Sequence, residues 1–375
     1  MNILINTRLL LSDKLEGIGW FTHELLSRIV KIHPEHTFYF LFDRNYDKKF
    51  IYSENVIPLV YGPPARHPFL YLLWFEFVIP KVIKRYKIDL FFSPDHFLSL
   101  RAKVPSLLAI HDLNFIHNPE NLPFFEALYY KYFVPKYIKK ANGLVCVSEY
   151  TKNDVINNFN VDSKKIDVVY NAPNIKGKIL TEAEKNEVRK KYTGGFPFFI
   201  YLGSLHRRKN TDRILKAFDL FAEETKGAVY MLFVGKPMWK DKIIDEAYNK
   251  LKHKDKVIFT GYLKSDEVAK ILASSLALVF VSLFEGFGVP LVEAMSLGIP
   301  VITSNVTAMP EIAKDAAIFV NPKSVEEIKN AMIVLYKDEN LRNSLIQKGL
   351  QRSLEFSWDL SAEKLWEAIV KIMKN

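Results

Sequence analysis

The chain has 375 residues, 49% hydrophobic and 25% charged, which excludes wholesale disorder and suits about two domains of ~150 residues each. Its net charge, 52 − 42 = +10, favours an anionic partner (nucleic acid, a phosphorylated substrate or a lipid surface) without choosing among them. The single cysteine, Cys146, excludes an internal disulfide and a cysteine-cluster zinc site; it lies in an apolar run and reads as a core thiol.

In chain order, residues 2–6, 37–42, 89–93, 106–111, 143–148 and 165–170 read as strands, being rich in Ile, Val, Leu and Phe with turn residues at their ends. Helical patterns lie between them, as over 19–32 and 124–140. Residues 174–195 then carry few large apolar side chains, many Lys and Glu, and the pair Gly194-Gly195, the composition of a linker. Strands resume over 196–203, 228–235, 256–261, 276–282, 299–304 and 316–321, with helices over 211–224, 240–252 and 265–274. Continuous rather than alternating apolar strands suit a parallel sheet covered on both faces, and the alternation of strand and helix gives an α/β class. A last helix over 357–373 carries Trp358, Leu365, Trp366, Ile369 and Ile372, more apolar surface than a free tail needs, and must dock. Apolar stretches run only about ten residues before a charge interrupts, too short to span a bilayer. The N-terminus lacks the basic and apolar regions of a leader, so the expectation is a soluble cytoplasmic protein.

Open α/β sheets bind ligands at the carboxyl ends of their strands, so strand-to-helix loops carry the functional reading. The strongest is Ser282-Leu-Phe-Glu285-Gly286-Phe287-Gly288-Val289-Pro290-Leu-Val-Glu293. Its glycines allow a tight turn, Pro290 suits a first helical turn, and the amides at Gly288 and Val289 would form an anion site. Glu285 and Glu293 are odd company for phosphate alone but suit a ligand that also has hydroxyls; a helix capped by acidic residues is the plainer alternative.

Glu285-x7-Glu293 within this segment resembles the signature of retaining glycosyltransferases of family 4, and Gly298-Ile-Pro with Met309-Pro-Glu311 resembles its continuation. The resemblance covers nearly the whole chain. It implies the GT-B fold, two facing Rossmann-like domains with an interdomain cleft. The boundaries expected are 1–175 for an acceptor-side domain, 176–195 for a linker and 196–357 for a donor domain, with helix 358–375 packing back on the first. It further implies that Glu285 faces the donor sugar, that Glu293 holds the ribose, and that amides near Phe287, Gly288 and Val289 reach sugar and phosphate.

The loop Gly203-Ser204-Leu-His-Arg207-Arg208-Lys209-Asn210 places cations just before a helix, where they oppose its dipole and an anion would relieve them. It resembles the family's basic loop, so Arg208 and Lys209 are expected on the donor diphosphate with Ser204 beside them; Arg207 replaces a frequent proline. Gly17-Ile-Gly19 after the first strand is weak alone, a plain tight turn being the alternative, but resembles the family's glycine loop facing phosphate and acceptor. Thr22 breaks the full G-x-G-x-x-G, which argues against an NAD enzyme. His111-Asp112 ends an apolar strand. A lone histidine there is more often structural; the resemblance implies that His111 bonds the donor sugar near its C6 hydroxyl and that Asp112 orients it or meets the acceptor. Ser148 and Glu149 read as a helix cap.

No metal-site spacing and no strand-end Asp-x-Asp occurs, so the expectation is no cofactor and no metal, with a nucleotide diphosphate sugar as donor substrate: GDP-mannose first, a UDP-sugar next. The expected acceptor is a glycan or lipid-linked glycan. Rival readings are a nucleotide-sugar epimerase of the same fold and a basic nucleic-acid-binding protein; no nucleic-acid motif supports the latter. Basic aromatic segments, Phe69–Lys87 and Tyr129–Lys140, suit peripheral contact with an anionic membrane. The same residues also fit helices packed on the first sheet, and that reading is preferred because the aromatic positions largely match a helix core.

Overall fold

A computed structural model describes residues 1–12, 15–175, 177–235 and 242–374. The first residues of the expected linker and of the helix expected over 240–252 lie outside these. The chain divides into two compact units, one of residues 1–171 with 357–375 and one of residues 172–356.

The first unit holds strands β1 (Asn2–Asn6), β2 (Thr37–Phe42), β3 (Val56–Val60), β4 (Leu90–Ser93), β5 (Ser106–Ile110), β6 (Gly143–Cys146) and β7 (Ile166–Val168). They form one sheet in the order β3-β2-β1-β4-β5-β6-β7, every pair parallel. β3 is the strand missed in the sequence. Its Pro58 argues against a strand interior, yet β3 is an edge strand, where a missing N–H costs least. β4, β5 and β6 are wholly buried, as their continuous apolar runs require, and Cys146 lies among them as a core thiol pushed above its usual range by burial.

The helix Trp358–Lys374 belongs to this unit. Trp366 stacks on His33 with centroids 3.8 Å apart, Ser361 Oγ donates to Tyr170 O at 2.7 Å, and Arg28 Nε reaches Asp359 Oδ1 at 2.5 Å. Its apolar face covers the helix Gly17–Ile32 and the strands β5 to β7.

The second unit holds β8 (Phe198–Leu202), β9 (Tyr230–Val234), β10 (Val257–Gly261), β11 (Ala277–Phe280), β12 (Val301–Ser304) and β13 (Ala317–Val320), parallel throughout in the order β10-β9-β8-β11-β12-β13. Where a linker is expected over 176–195, the structure has a helix, Glu182–Thr193, in the second unit. Thr181 and Glu184 close a capping box at its start and Gly194 ends it in the left-handed region. A polar helix lacks the apolar stripe by which sequence reasoning finds helices, and only its caps announced it.

In both sheets the strand order reverses beside the first strand, between β1 and β4 and between β8 and β11. Loops leaving adjacent strands there in opposite directions open a crevice at the carboxyl ends.

Candidate active site

In the second unit, the switch point gathers the two loops singled out in the sequence. β8 runs into Gly203, and the Tyr201 hydroxyl donates to Ser204 O at 2.7 Å, fixing the exit of the chain. A short turn, Arg207–Lys209, follows; the His206 ring accepts the Arg208 amide at 3.1 Å. Buried Asn210 donates to Val281 O at 2.9 Å and Pro322 O at 2.6 Å, tying this turn to the end of β11. The Leu283 amide donates to Arg208 O at 2.9 Å, completing the tie.

Glu285 is thereby delivered to the cations. Lys209 Nζ lies 2.5 Å from Glu285 Oε1, and Arg208 Nη1 lies 3.2 Å from Oε2 and donates to Phe284 O at 2.7 Å. Burial works against the charge on Glu285, but Lys209 and Arg208 more than offset it and hold the carboxyl below its ordinary range. Arg207 is exposed. Two cations on one carboxylate leave a net positive charge, suited to a further anion.

Gly288 then caps the helix Val289–Ser296 at φ 94°, where an L side chain is strained; a Cβ there would also lie 2.6 Å from Met309 Cε. The Phe287 side chain packs edge-on against Phe356, with centroids 5.6 Å apart, so its ring serves the core. Glu293, buried in the helix, accepts the Asn174 amide at 3.3 Å, and burial pushes its carboxyl up to about 7. The sequence therefore placed Glu285 and Glu293 together, and the structure separates their surroundings: one faces cations, the other amides.

In the first unit the switch point holds a different arrangement. His111 Nε2 lies 2.7 Å from Pro94 O; a carbonyl only accepts, so Nε2 carries the hydrogen and Nδ1 keeps its lone pair. Burial, helped by neighbouring His96, lowers the ring to about 4, so it is neutral at neutral pH. Phe21 packs edge-on against this ring, with centroids 4.9 Å apart. Asp112 Oδ1 accepts the Asn114 amide at 2.9 Å, which turns the chain into its next helix.

Sequence reasoning missed His96. Its Nε2 accepts the His111 amide at 3.1 Å, with the Asp112 amide at 3.4 Å, so two strand-end loops clasp each other through two imidazoles. Asp112 O also lies 3.0 Å from this atom. His96 holds a left-handed φ of 41°, a conformation that costs about 1 kcal/mol or more and marks a constrained position. Preceding it, Asp95 takes Arg8 Nε at 2.6 Å and Asn6 Nδ2 at 2.7 Å. The signal was available: Pro94-Asp95-His96 follows a strand end, as His111-Asp112 does.

Of the glycine loop, Gly19 is required, since a Cβ would lie 2.9 Å from Leu9 O, whereas Gly17 opens the helix with free space about it. Ser148 caps the helix Glu149–Phe159 by accepting the Thr151 amide at 3.0 Å. Among the described residues no group of three or more His, Cys, Asp or Glu stands close enough to hold a metal ion.

Two family models match in succession. "Glycosyltransferase Family 4" matches residues 15–176 and "Glycosyl transferases group 1" matches residues 182–352. The chain belongs to the family 4 type of glycosyltransferases. It is 26% identical over 278 residues to O-antigen chain mannosyltransferase B of Escherichia coli, a match covering 74% of this chain and 73% of that one. Among solved structures, sucrose-phosphate synthase from Thermosynechococcus elongatus matches with a TM-score of 0.79 at 16% identity, covering 100% of this chain and 99% of that one. Anabaena Alr3699/HepE in complex with UDP-glucose matches with a TM-score of 0.75 at 17% identity, covering 99% and 100%. The two Rossmann-like units are those of the GT-B fold, and the enzyme is a glycosyltransferase, a class that draws on nucleotide-sugar donors.

Proposed function

We propose that this glycosyltransferase moves mannose from GDP-mannose to a glycan acceptor, free or lipid-linked, with retention of configuration. The observation that carries the reading is the cluster of Lys209, Arg208 and Glu285 beside the Gly288 helix start, which joins an anion site to a carboxylate. The relative named a mannosyltransferase supports mannose; the neighbour complexed with UDP-glucose makes a UDP-sugar the next candidate.

In this mechanism the bond from the sugar C1 to the diphosphate oxygen breaks, and the acceptor oxygen bonds C1 from the same face. The acceptor proton passes to the departing phosphate oxygen. Arg208 and Lys209 stabilise the negative charge growing on that group, as a metal ion would, and the amides at Gly288 and Val289 add to it. Glu285 takes sugar hydroxyls as the ring becomes cationic, and Glu293 takes those of the ribose. His111 offers Nδ1, an acceptor, to a sugar hydroxyl, because Nε2 is engaged by Pro94. Gly17, Gly19, Ser204 and Asp112 are assigned to positioning of phosphate and acceptor.

The test is incubation with GDP-mannose, UDP-glucose and other nucleotide sugars, following release of nucleotide diphosphate with and without a glycan acceptor. Turnover with GDP-mannose and an α-linked product supports the reading. Turnover with another donor alone replaces the sugar; an inverted product overturns the mechanism. Interconversion of a UDP-sugar without transfer would mark an epimerase.

A further inference from the structure

The basic aromatic segments of the first unit do not all pack inward as the sequence suggests. Trp74, Phe75 and Tyr129 are buried. Phe69, Phe124, Phe125 and Tyr132 are exposed by 63%, 75%, 67% and 57%. The helix Phe124–Lys140 puts Phe124, Phe125, Leu128 and Tyr132 along one side, at positions one and four apart. It crosses the helix Pro68–Leu73, and between them lies a groove of about 470 Å³ lined by Phe69, Leu72, Phe125, Leu128, Tyr132 and Phe133. That volume falls within the ~300–1,000 Å³ of ligand pockets, yet almost nothing polar lines it to recognise a sugar or nucleotide.

Charge selects the occupant. The helix Phe124–Lys140 carries Lys131, Lys136, Lys139 and Lys140 against the single acid Glu126. Lys136 Nζ sits 3.3 Å from the centre of the Tyr132 ring, at the border between groove and solvent. A second copy of this chain would bring these lysines against one another. A neutral apolar peptide would leave them unanswered. Hydrocarbon below a layer of anionic head groups answers both halves, with rings among the chains and lysines reaching the phosphates. We propose that this face docks on an anionic lipid bilayer, with a lipid acyl chain in the groove. The proposal concerns a groove that none of the residues assigned to the donor or acceptor lines, and it does not depend on which sugar is transferred.

The test is flotation of the full chain with vesicles of phosphatidylglycerol and phosphatidylcholine, and of phosphatidylcholine alone. Wild type is expected to float with the anionic vesicles only. Phe124→Ser/Phe125→Ser should weaken binding at least tenfold. Lys131→Gln/Lys136→Gln should weaken it by about fivefold per lysine. Both pairs are exposed, and an unchanged thermal shift with a nucleotide diphosphate certifies the fold. Phe125→Trp supplies a second readout, quenching by brominated acyl chains beyond that of wild type. The proposal is overturned if wild type stays in solution, if the serine variant floats equally well, or if quenching is unchanged. A concentration-dependent dimer abolished by the serine pair would likewise overturn it, in favour of a second copy.

Discussion

At the carboxyl ends of β8 and β11 a buried carboxylate is kept charged, whereas at the carboxyl ends of β4 and β5 a buried histidine is kept uncharged. Burial opposes charge in both places. The difference is the partner: Glu285 faces two cations, and His111 faces a carbonyl and a second imidazole. A third case sits between them. Glu293 has amides and, among the described residues, no cation paired with it, and its carboxyl rises instead of falling. Burial alone therefore does not set the state of a site; what the polar atoms meet after burial does.

The largest test of this contrast is Glu285→Gln. Turnover should fall by about 10²–10³, as when a preorganised transition-state contact is lost. Affinity for the nucleotide diphosphate should hold or rise, because Arg208 and Lys209 lose the carboxylate that competes for them. Initial rates beside calorimetry separate the two, and a fall in both would refute the assignment. Next comes Lys209→Ala, which should weaken diphosphate binding by about 1.5–3 kcal/mol while leaving the bare nucleoside nearly unaffected. Equal losses for GDP and guanosine, or for UDP and uridine, would move Lys209 off the phosphate.

Titration sharpens the contrast further, because the two units should respond oppositely. His111, lowered to about 4, contributes stability that is full above the ordinary histidine value near 6.5 and is lost as pH falls toward 4. Glu293, raised to about 7, contributes stability that is full below the ordinary carboxyl value of 4.5 and is lost as pH rises through 7. Comparing denaturant unfolding of wild type with His111→Gln and Glu293→Gln from pH 4 to 8 should show two differences of opposite slope, each up to about 3 kcal/mol. Parallel slopes would show that one of the two environments is misread.

The smallest effect belongs to the clasp. His96→Phe keeps a ring but removes the acceptor for the His111 amide, and should lower kcat by about tenfold at unchanged nucleotide affinity. His96→Gln retains an acceptor and should recover most of it. Loss of stability in both variants without a difference in kcat would leave His96 a core residue.

Much of this was legible in the sequence, for identifiable reasons. Continuous apolar runs gave twelve of the strands, because a strand buried on both faces has no polar alternation to confuse it. His111 stood out because it ends an apolar strand, Glu285 because it sits in a glycine-rich loop before a helix, and Lys209 because it puts a cation before a helix start. What stayed hidden depends on distant partners. Glu293 meets the amide of Asn174, 119 residues away, and the clasp of His96 on His111 joins two separate loops. The exposure of Phe69 and Tyr132 escaped notice because a helix pattern shows which positions share a side, not which side the sheet covers.

The helix Trp358–Lys374 completes a unit whose other elements precede residue 172. The second unit is one unbroken run and can close its core as soon as it has been synthesised, while the first, begun earlier, must wait for residues 358–374. Until then the apolar side of the helix Gly17–Ile32 and the ring face of His33 lie uncovered. Order of birth and order of completion are thus reversed. On the ribosome, the half that starts first is the half that needs shielding longest.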